Sequence, residues 1–265
     1  MSVPIPPRAD LGPIATPPGR PLATWSVFHS IGIFLLGNVL IGQALLGAVI
    51  LFLFGMVTMP TDGANTPILV ASLFADLAMV GTILVWLRLR HEPTVALLGV
   101  PAPGRWLREI WVGAASGILL YLVVGFGAAN LISWVLERLF NQPIVTPLQL
   151  SPGLSTAAKV LAAFLAIVIA PASEELFFRG VLFRGLRDRR GFPIAAGVSA
   201  VAFGLAHWEG EWRGALVLVF SMVVTGLGLA FLYDRRKNLV STIAAHAAFN
   251  IIGVIFLFGF PRFGT

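Results

Sequence analysis

Residues 214–260 read GALVLVFSMVVTGLGLAFLYDRRKNLVSTIAAHAAFNIIGVIFLFGF, two long apolar runs (214–233 and 239–260) separated only by the basic segment YDRRKN. A helix needs about 20 apolar residues to cross about 30 Å of hydrocarbon, and both runs meet that length. Working outward toward the N-terminus, similar runs recur over 193–208, 155–187, 109–136, 67–87 and 26–59. Each is bounded by Pro, Gly or charge, as in RDRRGFP, NQPIVTP, PAPGRWLRE and MPTDGANTP. Pro171 lies inside the 155–187 run and lacks a backbone donor, so that run is expected to kink or to break into two helices. The expected fold is therefore all-α, a polytopic transmembrane bundle of seven to eight helices.

Composition supports the same solvent. The 265 residues are 57% hydrophobic and 11% charged, with mean hydropathy +0.90. A soluble domain carries about 25% charged residues, so this chain has too few to cover a water-facing surface. The net charge of +6 does not indicate a nucleic-acid partner, because the basic residues come in short clusters between apolar runs. That is the pattern of loops beside anionic lipid headgroups. There is no cysteine, which excludes disulfides and thiolate chemistry. Residues 1–24, rich in Pro and Gly and without the layout of a signal peptide, are expected to be a disordered or surface-lying tail. Residues 25–265 are expected to form a single transmembrane domain.

Trp25, Trp86, Trp106, Trp208 and Trp212 fall near the ends of runs, where an interfacial aromatic belt would place them. Gly113 and Gly117 make a small-xxx-small pair suited to close helix packing. Segments 88–108, 184–190 and 234–237 are rich in Arg and Lys, whereas 60–66, 137–156 and 208–213 hold only Arg138 and Arg213. With seven crossings these segments alternate. The rich ones are then expected in the cytoplasm, with the N-terminus inside and the C-terminus outside.

Charge within the apolar layer costs about 2.5–3.5 kcal/mol per group on insertion scales and so marks function. Such groups concentrate within 155–255, in SEELFFRG (173–180), FGLAH (203–207) and HAAFN (246–250). Glu175 and Arg179 share a helix face at i, i+4 and are expected to pair. Glu174 projects about 100° away and remains free for proton transfer. Ser173 is expected to cap a helix restarted after Pro171. His246 and Asn250 also share a face at i, i+4, while His207 alone on its run would more often be a packing residue. At 1.5 Å per residue, Glu174 and His207 lie about 20 Å from the basic ends and His246 about 10 Å, so one cavity can hold all three.

These motifs, E174-E175-L-F-F-R179, F203-G-L-A-H207 and H246-A-A-F-N250, resemble the EExxxR, FxxxH and HxxxN signatures of the type II CAAX prenyl protease and bacteriocin-processing family, also labelled abortive-infection proteins. The resemblance covers about residues 155–255 and implies an intramembrane endopeptidase. Its site would be a cavity open to the cytoplasmic side and to lipid. Its substrate would be a membrane-associated protein or peptide, prenylated or not, cut near the C-terminus. By this resemblance Glu174 is the catalytic glutamate, Glu175 and Arg179 support it, His207 holds the attacking water, and His246 and Asn250 bind the oxyanion. A metal-free mechanism in which Glu174 and His207 activate water is favoured over a zinc ion held by Glu174, His207 and His246. The sequence has no HExxH to supply a zinc helix of that type. Two other readings are a non-catalytic immunity or scaffold protein of the same family, and a small transporter using the buried groups as a proton relay. No internal repeat supports the transporter.

Overall fold

The computed structural model describes residues 22–55, 65–90, 98–148 and 153–258. The described residues form helices and connections with no strand. The helices are α1 (Val27–Gly47, continuing over Ala48–Gly55), α2 (Asn65–Arg90), α3 (Trp106–Phe140), α4 (Thr156–Arg190), α5 (Phe192–Leu205), α6 (Trp212–Arg236) and α7 (Leu239–Phe258). Six are long and apolar enough to cross a membrane, and the protein is an all-α polytopic membrane bundle. The ends of the first and last expected runs, at 56–59 and 259–260, lie outside the described residues, as do residues 1–21 of the expected tail.

Two expectations about 155–210 are corrected. Pro171 does not break α4, which runs continuously from Thr156 to Arg190. The helix widens into π-type turns over Leu165–Ile169 and again over Leu176–Phe183, and the short α-helical stretch Ala170–Glu175 sits between them. A widened turn accommodates the proline ring and its missing donor without ending the helix. Ser173 accordingly caps nothing. Its hydroxyl donates to Asp76 Oδ1 at 2.6 Å and to the Ala170 carbonyl at 3.2 Å. The second correction concerns α5, whose 14 residues reach only about 21 Å. The passage across is completed by residues 206–211 in non-helical backbone.

Ion pairs identify the two ends of the bundle. At one end Arg187 pairs with Asp234 at 2.9 Å, joining α4 to α6. Arg236 forks onto both oxygens of Glu109, joining α6 to α3, and Asn238 Nδ2 donates to the same carboxylate at 3.1 Å. The Ala23 amide donates to Asp188 at 2.9 Å, and the Leu239 amide to the Gly99 carbonyl at 3.3 Å. The three Arg/Lys-rich segments therefore share one face of the molecule. At the opposite face Arg213 donates to Gln142 at 2.5 Å, and Phe140 stacks edge-on to Trp212 at 5.1 Å.

The basic end is densely packed. Trp25, Ile83, Leu87, Leu98, Phe183, Tyr233 and Leu239 belong to one buried cluster there. Trp25 is not a belt residue: it is 1% exposed, its ring meets Trp86 at 5.4 Å, and its indole N–H donates to the Val181 carbonyl at 2.9 Å. Trp106, Trp208 and Trp212 are exposed, as a belt requires. Gly113 and Gly117 set α3 against α7. A Cβ at Gly117 would lie 2.0 Å from the Ala245 carbonyl oxygen, so no larger residue fits without moving the helix that carries His246.

Candidate active site

Glu174 and Glu175 diverge as adjacent helical residues must. Glu175 turns into the protein, where Arg179 Nη1 donates to its Oε1 at 2.7 Å and the pair is fully buried. The second Arg179 nitrogen donates to the Gly226 carbonyl at 3.0 Å. The guanidinium lies 4.7 Å from the centroid of Phe203, a cation–π contact. Charge buried this deeply stands only when paired and hydrogen-bonded, and here the arginine has a carboxylate, a carbonyl and an aromatic face.

Phe203 is more than a spacer in FGLAH. Its ring carries Arg179 and packs within 4.7 Å of the His207 ring and 5.7 Å of the His246 ring. Its carbonyl lies 2.7 Å from His207 Nδ1. A carbonyl can only accept, so Nδ1 carries the proton and the neutral ring presents an unprotonated Nε2. His246 is held in the same way: its Nδ1 lies 3.1 Å from Glu175 Oε1, the oxygen that also receives Arg179, and an oxygen in that position accepts from Nδ1–H. Both imidazoles are thus oriented by their Nδ1 partner.

Asn250 performs a service to the backbone. Pro171 has no N–H to give to the carbonyls one turn earlier, and Asn250 Nδ2 donates instead to the Ala166 carbonyl at 2.7 Å. The amide retains a second N–H. The widened turn at Leu176–Phe183 is completed similarly, with Ser199 Oγ donating to the Phe178 carbonyl at 3.0 Å.

Glu174, His207, His246 and Asn250 line one cavity of about 780 Å³. Glu175 and Arg179 stand behind its wall. The Glu174 Oε2 atom is buried with no hydrogen-bond partner among the described residues. The sequence reading missed Asp76, which lines the cavity from α2 and holds Ser173 beside Glu174. Its signal was present: it is an acidic residue inside the 67–87 apolar run. Asn38 and Gln43 of α1, hydrogen-bonded to each other at 2.8 Å, also line the space. The early helices therefore contribute polar groups although they carry no signature. No three His, Asp or Glu side chains among the described residues converge closely enough to hold a metal ion. Glu174, His207 and His246 as placed therefore do not fit a zinc centre.

Of the lining residues, Met79, Phe178 and His246 are buried, while Leu148, Trp208 and Glu209 are exposed. These last three belong to the Arg/Lys-poor connections.

A carboxylate and two oriented imidazoles inside a transmembrane helical bundle define a class of intramembrane site. Residues 156–252 match the family described as type II CAAX prenyl endopeptidase Rce1-like. Over 88 residues the chain is 34% identical to the Bacillus subtilis (strain 168) protein named "Putative membrane peptidase YdiL", covering 33% of this chain and 34% of that one. It is 29% identical over 86 residues to UPF0177 protein YxdF of Lactococcus lactis subsp. lactis (strain IL1403), covering 32% of this chain and 44% of the relative. A third relative, UPF0177 protein YbdJ of the same strain, is 38% identical over 85 residues, 32% of this chain and 34% of its own length. The matches span less than half the length of these relatives. No solved structure matches the chain.

Proposed function

We propose that the protein is an intramembrane peptidase in which Glu174 is the general base toward a water molecule. The observation that carries this reading is the shared cavity, whose lining combines Glu174 with two imidazoles whose Nδ1 atoms are already committed. Glu174 takes a proton from water as the oxygen attacks the peptide carbonyl carbon. The same proton then passes to the departing amine as the C–N bond breaks. His207 Nε2 accepts a hydrogen bond from the water and orients it. Stabilising the oxyanion requires donors: the second N–H of Asn250, and His246 when its Nε2 is protonated. Glu175 and Arg179 act through His246, fixing its ring, and are positioning residues.

The family match of residues 156–252 and a relative named as a peptidase support hydrolysis of a peptide bond in a membrane-associated chain, whether prenylated or not. Purified wild-type protein should cleave such a peptide. Glu174→Gln and His207→Ala should lose at least about 100-fold in kcat while unfolding at the wild-type temperature, the scale of a lost general base. Activity should also survive a strong chelator, because this reading assigns activation of the water to Glu174 and His207. Wild-type turnover by Glu174→Gln would end the proposal.

A further inference from the structure

We infer that Asp76 is a positioning residue of the site: through Ser173 it fixes the stretch of α4 that carries Glu174. The inference rests on the peptidase reading and adds a residue of α2, outside the segment 156–252 that matches the family. Asp76 stands near the middle of α2 (Asn65–Arg90) and lines the cavity together with Glu174. An acidic side chain midway along a transmembrane helix is costly and marks a function. Among the described residues no Lys, Arg or His pairs with it. Its hydrogen bond there is the one it accepts from Ser173 Oγ at 2.6 Å.

That bond acts where the backbone of α4 has least hold of its own. Ser173 and Glu174 belong to the short α-helical stretch Ala170–Glu175, set between the π-type turns Leu165–Ile169 and Leu176–Phe183. Pro171 withholds a helical donor from the same stretch. Side chains of other helices brace α4 on either side, Asn250 at the Ala166 carbonyl and Ser199 at the Phe178 carbonyl. Both of those bonds fall several positions from Glu174, whereas Ser173 is its immediate neighbour. Neighbouring helical residues keep a fixed angle of about 100°. Holding Ser173 against α2 therefore sets the rotation of α4 at Glu174.

The bond is not required to satisfy Ser173. This serine is fully buried, but its hydroxyl also lies 3.2 Å from the Ala170 carbonyl, an acceptor that remains when Asp76 is removed. Truncating Asp76 thus strands no buried proton and takes an ionisable group out of the apolar layer. Asp76 contributes to the geometry of the site and not to the stability of the bundle.

The test uses the full-length protein in detergent and a fluorogenic peptide offered with and without an isoprenyl cysteine. Asp76→Ala and Ser173→Ala should each lower kcat about 10- to 100-fold, the scale of an ångström's misplacement. KM should stay within about twofold, since the loss falls on the chemical step. Asp76→Ala should unfold at or above the wild-type temperature. Asp76→Asn keeps an acceptor for the Ser173 hydroxyl and should hold kcat within about threefold of wild type. The double variant Asp76→Ala/Ser173→Ala should be no slower than the slower single variant, because the two side chains act as one unit. Wild-type kcat in Asp76→Ala, or losses that multiply in the double variant, would overturn the inference. Asp76→Asn as slow as Asp76→Ala would overturn it too, by showing that the carboxyl acts without Ser173. A lowered unfolding temperature of Asp76→Ala would assign the residue to the bundle instead. In all these cases the peptidase reading stands as long as wild type cleaves and Glu174→Gln does not. Wild-type protein that cuts neither peptide would count against the peptidase reading and remove the inference with it.

Discussion

Glu174 and Glu175 are chemically identical neighbours given different surroundings. Glu175 has two organising partners, Arg179 and His246, both at its Oε1, whereas Oε2 of either glutamate is buried with no hydrogen-bond partner among the described residues. Their substitutions should therefore differ in kind. Arg179→Met leaves a buried carboxylate without its cation and should cost about 3–5 kcal/mol. In detergent this variant should show a clearly lowered unfolding temperature together with lost activity. Glu174→Gln should lower activity alone. Equal thermal losses for the two variants would contradict the division of labour. The i, i+4 pairing of Glu175 with Arg179 was legible in the sequence because helix periodicity fixes it. The bonds from His207 to the Phe203 carbonyl and from Ser173 to Asp76 were not, because they depend on rotamers and on helices distant in the chain.

At the scale of elements, hydropathy located α1 to α7 within a few residues over the described chain, since lipid leaves the backbone little alternative to helical hydrogen bonding. It did not reveal that Pro171 would be absorbed in a widened turn, because the compensating donor, Asn250, is 84 positions away by the Ala166 bond. That bond predicts an unusual double variant. Asn250→Ala strands the Ala166 carbonyl and should destabilise the protein by about 1–3 kcal/mol. Adding Pro171→Ala supplies a backbone N–H to the same turn and should restore much of the thermal stability. Activity should stay low, since the Asn250 amide is still missing. Thermal unfolding and kcat measured on the two single variants and the double variant separate these effects; a double variant no more stable than Asn250→Ala would refute the account.

For the molecule as a whole, the three short motifs were enough to indicate a common site, because ionisable groups in oil are forced to find one another. The part played by Pro147, Trp208 and Glu209 in lining the cavity was beyond the sequence, since connections 141–148 and 206–211 carry no periodic signal. The shortness of α5 adds a physical consequence. Its lipid-facing side chains Ile194, Val198, Val201 and Leu205 are exposed, yet the helix covers only about 21 Å of a hydrocarbon layer of about 30 Å. Acyl chains beside it must shorten or tilt to meet it. Protein reconstituted in phosphatidylcholine of graded tail length should turn over fastest in the thinner bilayers and slow as the tails lengthen, at constant protein fold; rates independent of tail length would contradict this. A locally indented membrane would carry bulk water down to the level of His207, so that hydrolysis at this depth would draw on the aqueous phase directly and need no conduit through oil.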